Sequence, residues 1–162
     1  MRRIASHKPK YFACLDATQG FFQLGVDESS RNLLCFTTPR GNFVWRRAPM
    51  GPKTVPALYQ RAMYVEVFHD MVNQFMEIYL DDFIIWASTE DELVTRVERV
   101  LNRLRAVNLK LNPKKCKFGL DQVEYCGHLI TATSIKFSSE KLQEVDAWTL
   151  PSTQGELNAG FA

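Results

Sequence analysis

Two strongly apolar segments, Phe75–Leu80 (FMEIYL) and Phe83–Ala87 (FIIWA), stand with only Asp81 and Asp82 between them. Nothing else in the chain restricts its fold so tightly. Each segment has the length and the aromatic and β-branched content of a buried strand. So short a joint points to a hairpin. Aspartate suits a tight turn, so a solvated hairpin tip is the plain account of the pair. The flanks weaken that account, because they bury most of the hairpin and acids at its end then need partners. A third acid keeps similar company. Asp16 closes the short apolar strand Tyr11–Leu15 (YFACL), and central strands lying side by side could bring all three carboxylates together.

The rest of the chain reads as alternating short elements. Phe21–Val26 (FFQLGV) continues in a half-apolar pattern after a break at Gly20. Leu33–Thr38 and Phe43–Arg47 are expected strands, joined by the turn residues Pro39-Arg40-Gly41-Asn42 into a second hairpin. A helix is expected from about Pro56, since proline suits a first turn, with Leu58, Ala62 and Met63 on one face. Thr89 and Glu92 have capping-box spacing. They open a helix whose apolar stripe is Leu93, Val97, Val100, Leu101, Leu104 and Val107. Glu92 and Arg96 can pair on its wet face, and Asn108 is a suitable stop because it tolerates a left-handed backbone. Strand-like pieces follow around Cys116–Phe118 and Val123–Ile130, then a short helix near Glu140–Trp148 after Ser139. Thr153 and Glu156 announce a further helix that the remaining residues do not complete, which reads as a truncated chain. The expected fold class is α+β, with helices on one face of a mainly antiparallel sheet.

Composition sets the outer bounds. A chain of 162 residues suits one domain, and 46% hydrophobic residues exclude a disordered polymer. Lys and Arg number 20 against 18 Asp and Glu, so a surface for nucleic acid would have to be a local patch. The sequence has no run of about 18 apolar residues, the length a helix needs to cross a bilayer, and the opening MRRIASHKPKYF lacks the apolar stretch of a secretory signal. Cys14, Cys35, Cys116 and Cys126 form no C-x-x-C pair, and His7, His69 and His128 are not spaced as their co-ligands, so zinc is not expected. Reduced thiols in an intracellular protein, cytoplasmic or nuclear, are the expectation.

Three clustered carboxylates repel one another and stay ionised only if cations bind between them. Hard oxygen ligands suit Mg²⁺, which takes one or two carboxylates plus substrate phosphates. Two such ions about 4 Å apart form the clamp of in-line phosphoryl displacement.

At this point the chain resembles the reverse transcriptases of long-terminal-repeat retrotransposons, most closely the Gypsy type. LDATQGFFQL (Leu15–Leu24) is similar to the family's first catalytic motif. PMGPKTVPALYQRAM (Pro49–Met63) is similar to its template- and nucleotide-contacting motif, and YLDD (Tyr79–Asp82) to the polymerase signature. LKLNPKKCKFG (Leu109–Gly119) and YCGHLIT (Tyr125–Thr131) resemble the last two motifs of the palm. The resemblance implies a polymerase palm, a ferredoxin-like antiparallel sheet with helices on one face, plus part of the fingers. It divides the chain into a leader (1–10), palm and partial fingers (11–150) and the start of a thumb (151–162).

The resemblance also implies roles. Asp16, Asp81 and Asp82 would hold two Mg²⁺ (or Mn²⁺) with the Ala17 carbonyl, one ion activating a primer 3′-hydroxyl and the other holding the triphosphate. Phe21 would be the steric gate against a ribose hydroxyl. Met50 and Gly51 would touch the incoming deoxynucleoside triphosphate, and Lys114 or Lys115 would lie near its phosphates. Gln60, Arg61 and Tyr79 would meet the RNA or DNA template and its primer, and Cys126, Gly127 and His128 would form the primer grip. Plainer readings stand beside these: Phe21 as core, the lysines as a solvated turn, His128 as a half-buried histidine. Met50, Ala48 and Pro52 depart from the family pattern, as do Asn108, Ser134 and Ser138, but none is a metal ligand. The remaining fingers, the thumb and a ribonuclease H region are not represented. The alternatives are an inactive remnant acting at most in nucleic-acid binding or assembly, and a small sheet-type RNA-binding module. The acids of the central hairpin argue against the latter, because they would repel a phosphate backbone.

Overall fold

The computed structural model describes Ile4, His7 and residues 9–138. Its elements follow the apolar patterning closely. In chain order they are β1 (Tyr11–Asp16), the short α1 (Gly20–Gln23), a 3-10 segment (Glu28–Leu34), β2 (Cys35–Thr38) and β3 (Gly41–Val44). Next come α2 (Val55–Arg61), running into a π-helical turn (Ala62–Val67), β4 (Met76–Tyr79), β5 (Asp82–Ala87) and α3 (Glu90–Ala106). The last are β6 (Lys117–Leu120), β7 (Gln122–Tyr125), β8 (His128–Thr131) and β9 (Ile135–Phe137).

β1 and β5 are the middle strands of a four-stranded sheet ordered β4-β5-β1-β6, with every pairing antiparallel. Alternate residues of a strand point to opposite faces, and here both faces are buried. Ala13, Leu15, Phe83, Ile85 and Ala87 pack with Tyr59, Met63 and the α3 stripe Leu93, Val97, Val100 and Leu104. Phe12, Ile84 and Trp86 pack with Val123, Tyr125 and Ile130 of the three-stranded sheet β7-β8-β9. Burial on two faces explains why FIIWA is continuously apolar rather than alternating. The expected helices on one face are present, and a second sheet covers the other.

The opening of α3 matches its caps. The Thr89 hydroxyl accepts the Glu92 amide at 3.3 Å, while the Glu92 carboxylate accepts the Ser88 amide at 2.7 Å and pairs with Arg96 at 2.6 Å. Asn108 adopts φ 56° just past the helix, as expected of it.

Elsewhere the structure corrects the pattern. The half-apolar Phe21–Val26 begins as the helical turn α1. The second hairpin turns on Pro39-Arg40, with Thr38 already paired to Gly41, and Leu33 and Leu34 lie in the 3-10 segment. Met63 is buried as expected, but Leu58 is 57% exposed and Ala62 only half-buried; Val55 and Tyr59 complete the buried face, so Tyr59 takes the place expected of Leu58. Val107 lies beyond the last residue of α3 and is exposed. Val123–Ile130 is two strands, split by Cys126-Gly127 at φ 50° and 70°. Positive φ at both positions matches the right-handed twist of a two-residue hairpin. The helices expected at Glu140–Trp148 and from Thr153 lie outside the described residues.

Candidate active site

The β1–β5 register makes Asp16 the direct partner of Asp82. Partners across an antiparallel pair have Cα atoms about 4.5–5.5 Å apart and side chains on the same face. Acids 66 positions apart in sequence therefore meet. Asp82 belongs to β5, so the turn is Leu80-Asp81, and Tyr79 pairs with Asp82 across it. The Ala17 amide donates to the Asp81 carbonyl at 2.8 Å, tying the exit of β1 to this turn.

The turn is held under strain. Leu80 has φ 51°, a left-handed conformation that costs a side-chain-bearing residue about 1–2 kcal/mol. Gln60 of α2 offsets the cost with two hydrogen bonds. Its Oε1 accepts the Leu80 amide and its Nε2 donates to the Ile78 carbonyl, both at 2.8 Å. Gln60, expected at the template, thus clamps the carboxylate hairpin.

Charge at the site is poorly compensated. Lys115 Nζ lies 3.0 Å from Asp16 Oδ2, and this is the ion pair the three acids make among the described residues. Burial pushes the Asp81 and Asp82 carboxyls above the usual range, the charge of Asp16 adds to this, and Lys115 opposes it. The hydrogen bond to Asp16 in turn raises the Lys115 ammonium. Asp81 Oδ1 is buried without a hydrogen-bond partner. It fits where it does because residue 20 is glycine: a Cβ there would stand 2.1 Å from Asp81 Oδ1 and 2.6 Å from the Tyr59 hydroxyl.

A donor set of carboxylates and a backbone carbonyl consists of hard oxygens, the chemistry of Mg²⁺ and Mn²⁺. An orphaned carboxylate oxygen and excess negative charge both fit a cation. Among the described residues, no three metal-ligating side chains are yet closed around one point. The Lys115 ammonium supplies the positive charge instead.

The remaining candidates fall into two groups. Phe21 is close by, half-buried, with its ring edge-on to Tyr59 at 5.4 Å. Of the two lysines it is Lys115 that reaches the acids; Lys114 is exposed, its backbone amide bonded to the Asn112 side chain. Met50 is 63% exposed, Arg61 and Tyr79 are exposed, and Gly51 has φ 114°, a conformation open to glycine. Cys126 and Gly127 form the β7–β8 turn, and His128 Nδ1 lies 2.9 Å from the Cys126 carbonyl, its ring 5.0 Å from that of Phe137. No disulfide joins the cysteines.

Three residues outside the predicted set shape the site: Gly20, Tyr59 and Gln23. Gly20 shows in sequence only as a break. Tyr59 is hidden by the one-residue offset of the α2 face. Gln23 donates to the carbonyls of Thr18 (2.6 Å) and Lys110 (2.9 Å) and accepts the Lys110 amide (2.7 Å), fastening α1 to the segment that carries Lys115. No local pattern marks it.

Comparisons with known proteins show the family and the fold. The family model described as reverse transcriptase (RNA-dependent DNA polymerase) matches residues 2–130. The chain is 31% identical over 152 residues to the retrovirus-related Pol polyprotein from transposon 297 of Drosophila melanogaster, covering 94% of this chain and 14% of that protein. It is 33% identical over 144 residues to the corresponding polyprotein from transposon 412 of the same fly, covering 89% and 12%. The chain therefore spans a small part of these relatives. Among solved structures, the foamy viral protease-reverse transcriptase in complex with RNA/DNA hybrid superposes with a TM-score of 0.79 at 25% identity, over 98% of this chain and 22% of that one. A form of the same enzyme in complex with double-stranded DNA gives 0.81 at 26% identity, over 93% and 26%.

Proposed function

The chain belongs to the reverse transcriptase family, and we propose that it adds deoxynucleotides to a primer on an RNA or DNA template by two-metal phosphoryl transfer. The observation that carries this reading is the Asp16–Asp82 register pair beside Asp81, an acid cluster with too little positive charge. Bound there, divalent cations would supply Lewis acidity to the attacking hydroxyl and the leaving pyrophosphate.

The chain's own groups set up that chemistry. Asp16, Asp81, Asp82 and the Ala17 carbonyl offer the oxygens. Gln60 holds the turn that aims Asp81. Phe21, braced by Tyr59, walls the side where a sugar would sit. Lys115 would leave Asp16 for the triphosphate once the cations carry the local charge. Cys126, Gly127 and His128 would hold the primer end, on a hairpin packed against the same sheet. Complexes of the foamy viral enzyme with hybrid and duplex support a template–primer as the partner.

Primer extension on an RNA template with Mg²⁺ or Mn²⁺, comparing wild type with Asp81→Asn, tests the reading. Loss of a charge-stabilising group at the reacting centre predicts a fall of at least roughly 100-fold. Equal extension by both proteins would remove the role of Asp81. A second reading, a catalytically silent remnant, is favoured by the Lys115–Asp16 pair, which occupies one of the carboxylates. It predicts no extension by either protein.

A further inference from the structure

Tyr59 is fully buried on α2, and its hydroxyl has no hydrogen-bond partner. Asp81 Oδ1 is also buried and unpartnered. These two oxygens crowd the same point, the place a side chain on Gly20 would fill. The ring of Tyr59 is explained by packing, since it meets Phe21 edge-on and joins the helix-side core. Its hydroxyl is not, because a phenylalanine would make the same ring contacts without burying a polar atom. A buried donor beside a buried acceptor, each unpaired, is costly, and one hydrogen bond would relieve both. The terminal torsion of aspartate is soft, so rotation of the Asp81 carboxyl is the movement that would close it.

We propose that Tyr59 is a positioning residue for Asp81: its hydroxyl donates to Oδ1 in the pocket under Gly20, leaving Oδ2 to face a bound cation. The inference rests on the reading of Asp81 as a cation ligand. In the structure Lys115 pairs with Asp16. With a cation held by the cluster, Asp81 would rest on Tyr59 and offer its other oxygen as the ligand. Groups that orient a ligand from behind typically change metal affinity by roughly 10–100-fold when removed.

The test is Mn²⁺ binding to the whole chain, read by electron paramagnetic resonance of the free ion, with no nucleotide and no turnover. Tyr59→Phe should weaken binding by roughly 10-fold or more, with an unchanged far-ultraviolet circular dichroism spectrum. Tyr64→Phe removes a different tyrosine hydroxyl, one bonded to Asn73 and Glu77, and should bind Mn²⁺ as wild type does. Asp81→Asn should lose tight binding altogether. If Asp81→Asn weakens binding and Tyr59→Phe does not, the positioning role is overturned while the site reading stands. If Asp81→Asn binds like wild type, the site reading itself fails. Should Tyr59→Phe not fold, wild type labelled with fluorotyrosine replaces it. The Tyr59 fluorine resonance should shift on adding Mg²⁺, and stay put in Asp81→Asn. A resonance unmoved by Mg²⁺ in wild type overturns the proposal.

Discussion

Asp70, facing the C-terminal half of α3, and Asp81, at the tip of the β4–β5 hairpin, carry the same side chain into opposite surroundings. Asp70 meets two guanidiniums. Arg103 approaches both of its oxygens, at 3.0 and 3.1 Å, and Arg99 comes to 2.7 Å. Hydrogen bonding from Arg103 is the largest cause of a carboxyl held down at about 2, with Arg99 adding to it. Asp81 has two acidic neighbours, one shared lysine and a buried oxygen that makes no hydrogen bond, and its carboxyl is pushed up, chiefly by burial. The first region is electrostatically closed and serves the fold. The second is left open, at a cost to the fold, and the missing charge is what a ligand would bring. Uncompensated burial is thus a better pointer to function here than the presence of acids as such.

Three experiments break or sharpen that contrast. The largest effect is expected for Gly20→Ala, whose Cβ would meet Asp81 Oδ1 at 2.1 Å. Overpacking of this kind costs about 1–3 kcal/mol, and thermal melts should show a loss of about 2–4 °C per kcal/mol. An unshifted melting temperature would mean that Asp81 does not need the cradle.

A pH series separates the two aspartates by sign. Asp81 has its folded value raised above the unfolded one, so its charge destabilises the fold at neutral pH, and that penalty fades as pH falls through the folded value toward about 3.9. In metal-free buffer Asp81→Asn should therefore melt higher than wild type at pH 7, with the gain vanishing in acid. Asp70 has its folded value lowered to about 2, so it stabilises the fold above about 3.9 and loses this as pH falls toward 2. Asp70→Asn should melt lower than wild type at pH 7, with the deficit shrinking below pH 4. Parallel behaviour of the two variants would erase the distinction.

The smallest effect belongs to Arg99→Ala. Its side chain is half exposed, it shares Asp70 with Arg103, and it stacks over Phe75 at 5.5 Å. Exposed pairs contribute about 0.2–1 kcal/mol. Denaturant unfolding should register a loss in that range, and a larger one would make Arg99 a principal partner of Asp70.

Much of this was legible in the chain. FIIWA was readable as a buried strand because burial on both faces leaves no polar position, and α3 because its stripe and caps lie within a few residues of one another. Asn108 and the existence of a hairpin turn within Pro39–Asn42, though not its tightness, were readable for the same reason. Elements whose identity hung on a distant neighbour were not. α2 buries Tyr59 rather than Leu58 because the sheet beneath it sets the angle of approach, and a one-residue offset exchanges the two.

By itself, then, the sequence determined where strands and helices could form and that acids would stand at strand ends, since those preferences come from side chains close together along the backbone. Only the tertiary structure decided the register that sets Asp16 against Asp82, the choice of Lys115 over Lys114, the clamp by Gln60 and the cradle of Gly20 and Tyr59. Each of these joins residues tens of positions apart. Their pairing is settled by which packing buries the most apolar surface, and no short stretch of chain encodes that.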